Sequence, residues 1–294
     1  MTQGDSARGM SPAILRAQYL FISLLALSLV LWWRPLASTL TLALGSIAHT
    51  HILLIIPLSV ALMWLERSAL RAPFEISIGA GTSLLATALL AAAIAKWATG
   101  LPNDAPLTLS MLALVVWWFG SVILCFGTRA FRSLTFPLCF LLWIVPIPES
   151  VLNWIIEWLQ VQSATTARIL FWIARVPVTQ DGIMLSIPGI DIEVASQCSS
   201  IRSSLILIVT TMVLAHLLLG SWWRKALLVA VAIPLSFIKN GFRIFVISEL
   251  GTRVDPSFFD GRLHHHGGIL FLGVAFAAIA LLLWVLRRTE AAKS

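Results

Sequence analysis

Long apolar runs alternate with short polar breaks along the whole chain, and the breaks carry most of the charge. The spacing predicts helices near residues 18–33, 47–65, 76–97, 107–127, 131–147, 200–220, 226–249 and 267–286. Several of these runs exceed the roughly 20 residues that a helix needs to cross about 30 Å of hydrocarbon. Residues 36–46 are too short and too polar to count as a span, and Pro35 separates them from the first run. Two segments break the pattern. VLNWIIEWLQVQSATTARILFWIARV carries Glu157, Gln160, Gln162, Arg168 and Arg175 among apolar positions and reads as an amphipathic helix. In TQDGIMLSIPGIDIEVASQ, Ile190, Ile192 and Val194 alternate with Asp191 and Glu193, and Pro188-Gly189 supplies a turn between two short strands.

Composition makes the runs membrane spans. Of 294 residues, 59% are hydrophobic and 11% charged, a balance that excludes a water-soluble domain of this size. In lipid the backbone must satisfy its own hydrogen bonds, so helices are expected and not open sheets. The net charge of +7 would suggest nucleic acid in a soluble protein; here no nucleic-acid partner is expected, because the basic residues mark loops. Arg8 and Arg16, Arg67 and Arg71, Arg129 and Arg132, Arg224 and Lys225, and Arg287 and Arg288 all fall on one side of an eight-span count. The positive-inside rule makes that side cytoplasmic, against Arg34, Lys96, Arg253 and Arg262 on the other. Both termini are then inside, and residues 150–199 lie on the outer face. The first run lacks a small-residue cleavage site and is read as retained. Trp32, Trp33, Trp64, Trp97, Trp222, Trp223 and Trp284 fall near span ends, where indoles favour the interface. Cys125 and Cys139 lie inside spans as packed thiols, so no disulfide framework is expected. The expected fold is all-α and polytopic: about eight transmembrane helices, an outer-face amphipathic helix and a short β-hairpin. It forms one integral membrane domain over 1–294, with a tail at 1–17, N-terminal helices over 18–147, the outer-face segment 150–199, helices over 200–286 and a tail at 287–294.

Three places could carry chemistry. Cys198, in ASQCSSIRSS, opens the sixth predicted span, with Ser199 and Ser200 as capping residues. A helix N-terminus and Arg202 one turn later both favour thiolate, which suits a nucleophile; the alternative is a structural thiol at a loop–helix junction. Arg243 lies inside the seventh span, where a charge costs about 2.5–3.5 kcal/mol and calls for a partner or a role. It could hold a carboxylate or stabilise an oxyanion, or it could snorkel to the interface. Asn240 shares its helical face; Lys239 is more ambiguous, and Pro234 and Gly241 allow a bend. His264, His265 and His266 come at the start of the eighth span; the nominal pKa of a histidine, near neutrality, suits a general acid and base, and the alternative is a purely solvated cluster. Helical neighbours diverge by about 100° and cannot all ligate one ion, and the chain has no H-E-x-x-H pattern. No metal and no other cofactor is expected. The topology, drawn from basic loops that exclude these residues, puts Cys198, Arg243 and His264 in the outer half together.

VASQCSSIRSS, then IKNGFRIFVI, then His264 with Gly268 ahead of an apolar helix resemble the exosortase/archaeosortase family of multi-pass cysteine transpeptidases over roughly 130–286. The resemblance implies that Cys198 attacks a peptide bond near the C-terminal sorting signal of a secreted protein, leaving a thioester. Arg243 would stabilise the oxyanion or orient substrate, Asn240 and Arg202 would contact substrate, and His264 would protonate the leaving amine. Implied substrates are membrane-anchored, with a Pro-Glu-Pro-type motif, a transmembrane helix and a basic end; implied acceptors are surface glycans or other nucleophiles. The implied location is the cell inner membrane, with the active site on the periplasmic face. Ser200 departs from the glycine that the family commonly shows there, and His265 and His266 remain alternatives to His264. The segment 151–176 could border substrate access or act as a brace. A transporter or flippase for an anionic substrate, binding through Arg243, Lys239 and the histidines, is the reading from another class. A structural or assembly subunit is a third, and it leaves Arg243 without a role.

Overall fold

A computed structural model describes residues 12–67, 77–194, 201–258 and 262–291; at 12–13, 262–267 and 291 only the backbone is described. The chain forms two compact units, 1–148 and 149–294. Among the described residues seven helices are long and apolar enough to cross a membrane, and the count becomes eight if 135–144 and Glu149–Ile173 are taken together as one span. The protein is a multi-pass membrane protein, helical apart from one small antiparallel sheet.

In the first unit, α1 (Pro12–Leu31) is followed at Trp32 by a separate helix, α2 (Trp33–Gly45). The stretch set aside as too short for a span is therefore helical, with Pro35 in its first turn, where a missing N–H costs nothing. α3 (Ile52–Leu65), α4 (Ile78–Trp97) and α5 (Ala105–Ser133) match predicted spans. Gly127, at φ +82°, interrupts α5. The run expected to make one helix over 131–147 instead gives α6 (Thr135–Phe140) and a 3-10 turn at Leu141–Ile144. Pro146 and Pro148 stop any continuation, since neither can donate to a helix.

Helices here meet through small residues and polar side chains, as expected where lipid removes most of the hydrophobic drive between them. A Cβ on Gly81 would lie 2.6 Å from the Leu124 Cβ, so α4 and α5 touch backbone to side chain. Trp117 donates to the Leu24 carbonyl at 3.1 Å, Trp118 to Ser28 at 3.0 Å, and Ser59 to the Pro137 carbonyl at 2.6 Å. Several tryptophans expected at span ends are exposed beside a cation: Arg67 lies 4.7 Å from the Trp64 ring and Arg288 4.1 Å from Trp284. Trp32 is the exception. It is buried with its ring 5.6 Å from that of Trp117 on α5 and is no interface anchor.

The second unit begins with α7 (Glu149–Ile173), which buries Leu152, Leu159, Gln160, Ser163, Ala164, Ala167 and Phe171 at helical spacing. The amphipathic reading holds, with Glu157 and Arg168 exposed, but Gln160 belongs to the inner face. α7 ends in a Schellman motif: Val176 N–H bonds the Phe171 carbonyl, Arg175 N–H bonds that of Trp172, and Arg175 takes φ +59°. The chain then forms β1 (Thr179–Asp181), β2 (Met184–Ile187) and β3 (Ile190–Glu193), in the order β1-β2-β3. The expected two-stranded hairpin is β2–β3, joined by Pro188-Gly189 with Gly189 at φ +89°; β1 adds a third strand. Leu185 and Ile187 face inward against Ala164, Ala167, Phe171 and Ile244.

α8 (Ile201–Leu218), α9 (Trp222–Arg253) and α10 (Arg262–Ala291) complete the unit around a core of Leu207, Ala215, Leu228, Ala232, Ala275 and Ile279. Glu290 near the end of α10 accepts from the Gly220 and Ser221 N–H groups at 3.1 and 2.7 Å and pairs with buried Arg224 at 3.1 Å. One carboxylate thus accepts from the backbone leading into α9 and pairs with a buried guanidinium, which also donates to the Thr289 carbonyl at 3.1 Å.

Gly81→Ala is expected to lower stability by about 1–3 kcal/mol through overpacking against Leu124. Gly79→Ala, which meets nothing within 4 Å, should be neutral or stabilising, and thermal unfolding of both variants in detergent checks the contrast.

Candidate active site

The site is assembled on α9. With 32 residues it runs about 48 Å, longer than the hydrocarbon core, and Arg243 lies about 32 Å along the axis from Trp222. α9 packs closely on α7 because residue 241 is glycine. A Cβ there would lie 2.5 Å from the Thr166 Cβ and 2.8 Å from the Ser163 carbonyl oxygen, well inside ordinary contact. Phe171 and Phe245 seal one side of this crossing edge to face at 5.1 Å.

Asn240 and Arg243 both line a cavity of about 160 Å³ together with residues 190–194 and Ile244, Ile247 and Ser248. Asn240 is 2% exposed, and neither its side-chain nitrogen nor its oxygen has a hydrogen-bond partner among the described residues. A buried amide left unpaired costs about 1–3 kcal/mol.

Two polar links set the surroundings. Gln160 of α7 donates to the Val194 carbonyl at 2.6 Å, and Val194 N–H bonds the Ile183 carbonyl at 3.0 Å. The end of β3 is thereby tied down four residues before Cys198. Lys239, buried, donates to Ser203 at 2.6 Å and joins α9 to the first turn of α8. Just past the C-terminal end of α9, the Asp255 carboxylate accepts from the Ser257 N–H at 2.8 Å, which holds its carboxyl below the ordinary range.

Cys198, Ser199 and Ser200 lie outside the described residues. The helix carrying the histidines starts at Arg262, earlier than the expected 267, so His264, His265 and His266 sit on helical backbone in its first turn; their side chains lie outside the description. Arg202 is exposed on α8 and does not line the cavity that holds Asn240 and Arg243. Gln160, Ser203 and Gly241 are the residues that sequence reasoning did not single out as supports. Gln160 had a signal, a polar residue at the helical spacing of Leu152, Leu159 and Ser163, although a polar residue on an amphipathic helix is first read as solvated. Among the described residues no three His, Cys, Asp or Glu side chains cluster as metal ligands.

Residues 32–284 match the transmembrane exosortase family. The chain belongs to that family. The match extends over most of both units, leaving out α1, and includes every residue of the cavity; no curated protein and no solved structure matches the chain. Membership makes it a membrane exosortase, and implies processing of membrane-associated substrates that carry sorting signals.

In this exosortase, Gln160→Leu leaves the Val194 carbonyl without its donor and is expected to cost about 1–3 kcal/mol of stability. Gln160→Glu, which sets an acceptor against that acceptor, should cost more; chemical or thermal unfolding in detergent gives the order.

Proposed function

We propose that this exosortase is a thiol peptidase and transpeptidase that cleaves the C-terminal sorting signal of membrane-anchored secreted proteins. The observation that carries the reading is the shared cavity: β3, whose last residue stands five positions before Cys198, lines it together with Arg243 and Asn240. Family membership speaks for peptide-bond chemistry and against the transporter reading.

In the proposed sequence the Cys198 thiolate attacks the scissile carbonyl carbon, and the tetrahedral oxyanion is stabilised by the Arg243 guanidinium. The C–N bond breaks, the leaving amine takes a proton from the His264 imidazolium, and the substrate remains as a thioester on Cys198. An acceptor hydroxyl or amine on the cell surface then loses its proton to His264 and attacks the thioester. The C–S bond breaks and the thiolate is restored. Consecutive positions in the first turn of α10 diverge by about 100°, so one of His264, His265 and His266 takes this role, and His264 lies one turn from Gly268.

The proposed location is the inner membrane, with both termini cytoplasmic and the site on the outer face. A scissile bond tethered to a transmembrane helix reaches such a site by lateral diffusion. With 135–144 and Glu149–Ile173 counted together as one span, the basic clusters around Arg67, Arg132, Arg224 and Arg288 fall on one side and support that orientation.

Cys198→Ala is expected to abolish tail removal from a tagged substrate in cells, and continued processing would end the thiol reading. Arg243→Lys should impair processing at least tenfold, since a point charge lacks the guanidinium fork; full activity would leave Arg243 as a charge anchor. Single alanine substitutions at 264, 265 and 266 should isolate one essential position, and equal tolerance would remove the acid–base assignment.

A further inference from the structure

β3 pairs with β2 on one side, and its other edge has no strand partner among the described residues. The direction of its main chain follows from the ladder. Val194 N–H bonds the Ile183 carbonyl, so by the ladder Ile192 and Ile190 direct their main-chain groups toward β2, while the Val194 carbonyl is taken by Gln160. By alternation, the N–H and C=O of Asp191 and Glu193 face the open edge. The cavity runs along this edge: it is lined by residues 190–194 without a gap, whereas a sheet face would contribute only every second residue. Opposite stands Asn240, its buried amide unpaired among the described residues, with Arg243 one turn on.

We propose that the segment around the scissile bond binds as an extended strand on the open edge of β3. Its main chain exchanges hydrogen bonds with Asp191 and Glu193, and the Asn240 carboxamide pairs with one of its peptide units. Identifying the occupant as substrate rests on the thiol-peptidase reading. Two observations favour it over a second copy of this chain. Val194 is only four residues from Cys198, at most about 14 Å of chain, so a strand held here is delivered to the thiol. Asp191 and Glu193 are exposed on one face of β3, so pairing with another β3 would set carboxylates against carboxylates. A substrate strand with basic or hydroxyl residues on that face, and apolar residues beside Ile190 and Ile192, complements the edge.

The test uses the full-length Cys198→Ala protein in lipid nanodiscs. The probe is a fluorescent peptide with a Pro-Glu-Pro motif, an apolar helix and a basic end. A series of peptides, each N-methylated at one backbone nitrogen around the motif, should show a period of two. Every second non-proline position should raise Kd about tenfold, with little change between them. Asp191→Pro, which removes an edge-facing N–H outside the β2 ladder, should weaken binding about tenfold, and Asp191→Ala, which keeps that N–H, much less. Asn240→Ala should weaken binding of the unmodified peptide. A flat methylation series, no measurable binding, or an Asp191→Pro variant that binds as tightly as the parent overturns strand addition. Cleavage of the unmodified peptide by the native enzyme separates the two ideas. A period of two without cleavage sinks the thiol-peptidase reading alone, and cleavage with a flat series sinks strand addition alone.

Discussion

α9 can lie against α7 only as closely as residue 241 permits. With no side chain there, Thr166 and the Ser163 carbonyl fill the space a Cβ would need, and the two helices meet nearly backbone to backbone. In lipid, where apolar side chains gain little by leaving the hydrocarbon, such close contact is a principal source of helix association. The rest of the second unit follows from it. Ala164, Ala167 and Phe171 on α7 and Ile244 on α9 together make the floor on which Leu185 and Ile187 of the sheet rest. Widening the crossing would lift the sheet away from Asn240 and Arg243.

The sheet is an unusual element in a chain of this composition, because an open strand edge is costly wherever water is absent. Here two devices reduce that cost. Gln160 reaches from α7 to the Val194 carbonyl, and the exposed carboxylates of Asp191 and Glu193 keep one face of β3 polar. The polar groups left on the inner side of the cavity, Asn240 above all, are where a ligand gains most by binding, since they are already desolvated. Lys239 and Ser203 tie the start of α8 to α9, so of the two chain segments that flank Cys198 one is held to Gln160 of α7 and the other to Lys239, the neighbour of Asn240.

Much of this was legible before any coordinates. Helices of α3, α4, α5, α8 and α9 type follow from apolar length alone, and the β2–β3 hairpin from alternation around Pro188-Gly189. The motif around Asn240 and Arg243 pointed to one helical face, and both residues do line one cavity. Other features were not legible. The run over 131–147 is apolar enough for a span yet divides into the end of α5, the six-residue α6 and a 3-10 turn, breaks that apolar composition does not register. Trp32 has the sequence context of an interface anchor and is buried against Trp117, a contact between residues 85 positions apart.

By itself the sequence determined that the chain spans a membrane as helices, because apolar length and the cost of unpaired backbone in lipid leave no other solution. It also determined which residue types were available for chemistry, and in what order along the chain. Only the tertiary structure decided that Asn240 faces the edge of β3, that Gln160 is buried as a tie and not solvated, and that Arg202 stands apart from that cavity. Those outcomes depend on how α7, α9 and the sheet meet. A close approach at one glycine sets that geometry, and no local pattern of polar and apolar residues encodes it.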